Sequence, residues 1–141
     1  YNHIDDTNGN PLEVQQEGGV QICYIWGYNK TLPVAKIENI SYNNIPANLI
    51  TDIQNATITT TSNSGAPESV VLVTLDALRN DPALANAMVT TYTYKPSVGV
   101  STITDSKGNR ISYHYDGFNR LEFVKDKDGN ILSENKYHYK N

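Results

Sequence analysis

A mainly antiparallel β fold interrupted by a pair of helices follows from three features of this 141-residue sequence. The first is an internal repeat. Thr91-Tyr92-Thr93-Tyr94-Lys95-Pro96 precedes Ser112-Tyr113-His114-Tyr115-Asp116-Gly117 by 21 residues, and the offset runs without a gap from Asp105-Ser106-Lys107-Gly108-Asn109 to Asp126-Lys127-Asp128-Gly129-Asn130. Each copy reads as a polar-aromatic strand, a tight turn, a strand ending in an apolar residue (Ile103, Val124) and a turn of the form Asp-x-x-Gly-Asn. The second feature is period-two alternation through residues 1–41, and the third is a change to helical spacing over residues 42–88. The expected organisation is one domain, with a β-meander in 1–41, a helical insert in 42–88 and tandem hairpins in 89–141.

Composition fits an exposed sheet. Only 18% of residues are charged, and ten Tyr stand against two Phe and one Trp, a palette in which amphipathic rings cover sheet faces. A chain of this length buries roughly two-thirds of its unfolded surface, enough for a real core. The net charge of −4 disfavours nucleic acid or an anionic membrane surface as a partner. No apolar run is long enough for membrane insertion. The single cysteine, Cys23, lies in an apolar run, so no intrachain disulfide is available and a packed, inert thiol is expected. No signal peptide precedes Tyr1-Asn2-His3-Ile4, which already reads as a strand, so the chain is expected to be a piece of something longer.

In chain order, Ile4 to Leu12 matches Ile103 to Ile111, so the Asp-x-x-Gly-Asn turn is expected near the start as well, led by Asp6. Aspartate bonds backbone amides two residues on, and glycine supplies the positive φ that closes a type I turn with a bulge. Leu12, Val14 and Gln16 then alternate with Glu13 and Gln15. Val20 to Trp26 is apolar on both faces and reads as a central strand. Gly27 to Thr31 turns the chain, and Leu32 to Ile37 returns.

Ile45-Pro46 opens a helix with Leu49, Ile50 and Ile53 on one face, Pro46 suiting its first turn. Thr57 to Gly65, nearly all Thr, Ser, Asn and Gly, reads as a loop or linker. Pro67-Glu68 opens a second helix with Val71, Leu75 and Leu78 as its stripe. Asp81-Pro82 caps a last short helical turn. The helices are expected to pack as a pair on one sheet face. Alternation resumes at Val89.

Tyr115-Asp116-Gly117-Phe118-Asn119-Arg120-Leu121 resembles the Tyr-Asp-x-x-Gly-Arg-Leu signature of the RHS/YD-repeat family, and the flanking turns led by Asp105 and Asp126 fit the same repeat. Asn119 stands for the family's glycine, a substitution the left-handed conformation tolerates. Lys95-Pro96 and Gly99 depart from the signature, so that turn must be built differently. Tyr24 to Asn29, Pro33 to Glu38 and Val89 to Pro96 are similar to the C-terminal region of large RHS-repeat proteins of Bacteroides-type bacteria. The resemblance implies an antiparallel meander of YD-type hairpins. It also implies a non-catalytic scaffold segment of a large secreted or surface-exposed protein, with the upstream repeats of the same polypeptide as its partners. Some members of the family enclose a toxin domain, and none follows within this chain.

Three chemistries compete with that reading. His114 and His138 could act as bases, but each sits in a Tyr-His-Tyr triplet whose strand alternation sends the histidine to solvent. No nucleophile motif accompanies them. Asp126, Asp128 and Asn130 place oxygens at alternate positions, yet Gly129 is fourth rather than sixth and Tyr137 stands where a calcium loop needs Glu. His114 with His138 could clip a soft metal only if adjacent strands brought them together, and no metal or cofactor is assigned. The third is an aromatic ladder of Tyr92, Tyr94, Tyr113, Tyr115, Tyr137 and Tyr139, usable as a platform for a glycan or another protein. Cross-strand tyrosine pairs also stabilise a sheet by roughly 0.2–1 kcal/mol each without any ligand. The structural turn residues are Asp105, Gly108, Asp116, Asn119, Arg120, Asp126 and Gly129. The terminal strands, including Lys136 to Tyr139, carry little charge to block edge pairing, so the separated fragment is expected to dimerise through an edge.

Overall fold

The computed structural model describes residues 3–15, 17–61, 68–95 and 97–134. Among them nine antiparallel strands are hydrogen-bonded in chain order: β1 (His3–Ile4), β2 (Pro11–Gln15), β3 (Gln21–Gly27), β4 (Leu32–Glu38), β5 (Met88–Lys95), β6 (Gly99–Thr104), β7 (Arg110–Tyr115), β8 (Leu121–Lys125) and β9 (Ile131–Glu134). Two helices, α1 (Ala47–Thr61) and α2 (Glu68–Arg79), fall between β4 and β5. The chain divides into two compact units, Tyr1–Thr91 and Tyr92–Asn141.

In the first unit a helical layer dries one sheet face. Cys23, Ile25, Ala35, Ile37 and Val89 point into it, all but inaccessible. A register break opposite Ile25 and Trp26 turns two consecutive residues, Val34 and Ala35, inward together, as a bulge does. Helix α2 buries Val71, Leu75 and Leu78, the stripe predicted from spacing. Its last turn is pinned by Arg79, whose guanidinium bonds Asp76 and donates to the Thr91 hydroxyl at 2.9 Å. Asp81 caps the short 3-10 turn Pro82–Leu84 by accepting from the Ala83 amide.

Helix α1 corrects the expected loop from Thr57 to Gly65, because it continues to Thr61; residues 62–65 lie outside the described set. Threonine is a poor helix former, and tertiary partners override that here. Thr57 is fully buried. Its hydroxyl donates to the Gln54 carbonyl and accepts from the Tyr28 amide at 3.0 Å. The Tyr28 amide belongs to a turn in which Tyr28, Asn29 and Lys30 all have positive φ, each non-glycine residue there costing about 1–2 kcal/mol. Gln54 donates to the Trp26 carbonyl and Asn10 to the Lys30 carbonyl, so both sides of the turn are tied down.

Two further expectations change in the first unit. Strand β3 is central, but only Cys23, Ile25 and Gly27 are buried; Ile22, Tyr24 and Trp26 lie half-exposed on the other face. In β2 the buried residue is Glu13 rather than Leu12 or Val14. Register places Glu13 beside Cys23, where its carboxylate accepts from the Tyr42 amide at 2.6 Å and the Ser41 hydroxyl at 3.3 Å. It thereby anchors the start of the helical insert.

The second unit is built from one turn used three times. Asp105, Asp116 and Asp126 each bond through their own amide to the carbonyl four residues on, and each carbonyl accepts from the amide three residues on. The left-handed residue is Gly108 (φ 85°), Asn119 (φ 61°) and Gly129 (φ 85°) in turn, the type I turn with a glycine-position bulge. Near the start of the chain the same device is keyed by Asp5, not Asp6. Thr7 donates to the Asp5 carboxylate and Gly9 to its carbonyl, which lengthens the loop by one residue. The Lys95 turn is different, as expected: Ser97 carries the positive φ, and the Val98 amide bonds the Lys95 carbonyl. A Cβ at Gly99 would meet the Tyr115 hydroxyl at 2.6 Å, so a larger residue there would displace that ring's tip.

No Cβ clash opposes alanine at Gly108 or Gly129, where a methyl group would meet open space. The cost of substitution is therefore conformational alone. Gly108→Ala and Gly129→Ala are each expected to destabilise by about 1 kcal/mol. Thermal melts with unchanged midpoints for both would contradict the turn assignment.

Candidate binding face and turns

The aspartate side chains make the repeated turns rigid from within. Asp116 accepts from the Phe118 and Arg120 amides at 2.8 and 3.0 Å through one oxygen, and from the Arg120 guanidinium at 3.0 Å through the other. Asp126 accepts from the Asp128 and Asn130 amides at 2.9 Å, and Asp105 from the Lys107 and Asn109 amides at 2.9 Å. These bonds favour the ionised form. Backbone amides of Arg120, Asn130 and Asn109 hold the Asp116, Asp126 and Asp105 carboxyls below their ordinary value, and the Thr7 hydroxyl is the first cause for Asp5.

A group whose folded pKa is depressed stabilises the fold above its unfolded pKa and loses that contribution as pH falls through the folded value. The hairpins are therefore expected to keep full stability above about pH 4 and to weaken below it. Following Tyr92–Asn141 amide exchange from pH 5 to pH 2.5 checks this. Unchanged protection across that range would contradict it.

Of the tyrosine ladder, Tyr92, Tyr94 and Tyr113 share one face of the second unit. Thr93 and Thr102 share a hydroxyl–hydroxyl bond of 2.6 Å and so face the same way, which sends Tyr92 and Tyr94 to the opposite face. Register pairs Ile103 with Ile111 and Tyr113 with Val124, placing Tyr113 on the tyrosine side. All four rings, Tyr92, Tyr94, Tyr113 and Tyr115, are half-exposed. Tyr115 spends its hydroxyl on the Val100 carbonyl at 2.7 Å. Tyr137 and Tyr139, with His138 and Lys136, lie outside the described residues.

His114 is exposed on the other face, stacked on Phe123 with ring centroids 4.6 Å apart and its Nε2 at 3.3 Å from Ser112 Oγ. Among the described residues no three His, Cys, Asp or Glu side chains converge as a metal site, and no helix is long and apolar enough to cross a membrane. The Asp126 oxygens are engaged by its own turn. Cys23 is fully buried, its thiol donating to the Ile40 carbonyl at 3.1 Å and pushed up to about 12 by burial and by Glu13. A thiol so shifted carries almost no thiolate at neutral pH and is inert.

Sequence reasoning missed Glu13, Thr57 and Arg79 as anchors, and Phe123 as the ring against which both His114 and Lys125 lie. Only Glu13 left a signal, since it shares its alternation phase with Cys23 across the pair. No protein family, curated protein or solved structure matches the chain.

Proposed function

We propose that the chain is a non-catalytic structural segment of a large secreted or surface-exposed RHS-repeat protein, in which YD-type hairpins succeed one another as a scaffold. The observation that carries this reading is the identity of the three turns at Asp105, Asp116 and Asp126, down to the amides each carboxylate accepts. A fold whose unit closes on itself through local bonds can be extended by repetition, and its stability then grows from neighbour to neighbour. Among the described residues β1 and β9 are the edges of the sheet, and upstream repeats of the same polypeptide are the partners of the first strand. A fragment separated from them pairs edge to edge, although the two-residue β1 and the register breaks at both edges limit the strength of that pairing.

The test is insertion of a second copy of residues 105–125 after Lys125. The scaffold reading expects one cooperative thermal transition with its midpoint within about 5 °C of the parent. Loss of the transition overturns it. A second reading, binding of a glycan or a protein by the tyrosine face, is favoured by the uncharged, half-exposed Tyr92, Tyr94 and Tyr113 on one side of the sheet. Alanine at all three abolishes such binding on a glycan array and leaves a pure scaffold unaffected.

A further inference from the structure

Among the described residues only the β3–β4 turn holds consecutive non-glycine residues in the left-handed region. Tyr28, Asn29 and Lys30 stand there one after another, at φ 53°, 61° and 61°, a conformation that L side chains disfavour. Backbone held in this way persists only where its surroundings over-determine it, and here two elements do so from opposite ends. On the helix side, the Tyr28 amide donates to the Thr57 hydroxyl at 3.0 Å and Gln54 donates to the Trp26 carbonyl at 3.0 Å. Helix α1 lies so close that a Cβ on Gly27 would meet the Thr57 hydroxyl oxygen at 2.7 Å. On the other side, Asn10 of the β1–β2 loop donates to the Lys30 carbonyl at 2.8 Å, and Lys30 Nζ lies 3.7 Å from Asp5. That loop is itself closed by the Asp5 amide on the Asn10 carbonyl and by the Gly9 amide on the Asp5 carbonyl.

We propose that this turn is a two-state clasp that couples the docking of α1 to the closure of the first loop. Its left-handed state aims the Tyr28 amide at Thr57 and the Lys30 carbonyl at Asn10 together. Relaxation to a less strained conformation rotates those peptide groups, so both ties are lost at once. The two ties share no atom, and the turn is the bistable element whose equilibrium both of them bias. Coupling of this kind is reciprocal: whatever loosens α1 loosens the first loop by the same factor, and the reverse holds equally. A disturbance of the β1–β2 loop thereby reaches α1 through the turn.

Site-resolved amide exchange on the full chain tests the coupling. Thr57→Val, which keeps the shape of the side chain and removes its hydroxyl, is expected to speed exchange of the Asp5 and Gly9 amides about tenfold. Asn10→Ala is expected to speed exchange of the Tyr28 amide by a similar factor. Ile37→Val, a small truncation of a buried residue on β4 outside the turn, should leave all three rates unchanged. Lys30→Gly and Lys30→Ala both lack the ion pair to Asp5, and of the two only glycine accepts the positive φ without strain. Lys30→Gly should therefore exchange several-fold more slowly than Lys30→Ala at the same three amides. Unchanged Asp5 and Gly9 rates in Thr57→Val, an unchanged Tyr28 rate in Asn10→Ala, the same acceleration in Ile37→Val, or equal rates in the two Lys30 variants would overturn the proposal.

Discussion

Leu75→Ala is expected to cost the first unit about 3 kcal/mol, the middle of the range for emptying a buried leucine site. Leu75 is 1% exposed in the middle of α2, in line with Val71 and Leu78, which are fully buried. The insert interrupts the sheet in sequence, and these three residues, with Ile53 of α1, tie it back into the core. Val73, two residues away and 69% exposed, is the internal control: Val73→Ala should change stability by less than about 0.5 kcal/mol. Denaturant unfolding of both variants measures the difference. Equal effects would mean that the helices do not form the dry layer described above.

Glu13→Ala is expected to lose about 2–3 kcal/mol through a different mechanism. Removing the carboxylate leaves the Tyr42 amide and the Ser41 hydroxyl without their buried acceptor, and an unsatisfied group costs about 1–3 kcal/mol. Glu13→Gln keeps an acceptor oxygen and should cost about 1 kcal/mol. The ordering, alanine well below glutamine, is what chemical denaturation should return. If both substitutions were neutral, the strand-to-helix passage at Ser41-Tyr42 would be held by something other than Glu13.

What was legible in the sequence is what local chemistry decides. The hairpin turns at Asp105, Asp116 and Asp126 could be placed because aspartate and a residue suited to positive φ stand at fixed spacing, with alternation resetting on either side. The stripe of α2 could be read for the same reason. Choices settled by distant partners were not legible. Thr57 is helical because it satisfies the Tyr28 amide, 29 residues away. The spacing points to Asp6 for the first turn, whereas the loop closes on its neighbour Asp5, which adds one residue to it. Glu13 is inward because β2 is registered against Cys23, and a one-residue slip would have reversed that face. The cluster of His114, Phe123 and Lys125 escaped notice because the break in β7–β8 register between His114 and Tyr115 obscures which residues of β8 share a face with β7.

The central claim is that each aspartate-keyed turn is a self-contained unit. Site-resolved amide exchange on the full chain carrying Asp116→Ala tests it most directly. The account predicts faster exchange at Phe118 and Arg120, whose amides lose their acceptor. Lys107 and Asn109 in the preceding turn and Asp128 and Asn130 in the following turn should keep their parental rates. Loss of protection in all three turns together, or in none, would contradict it.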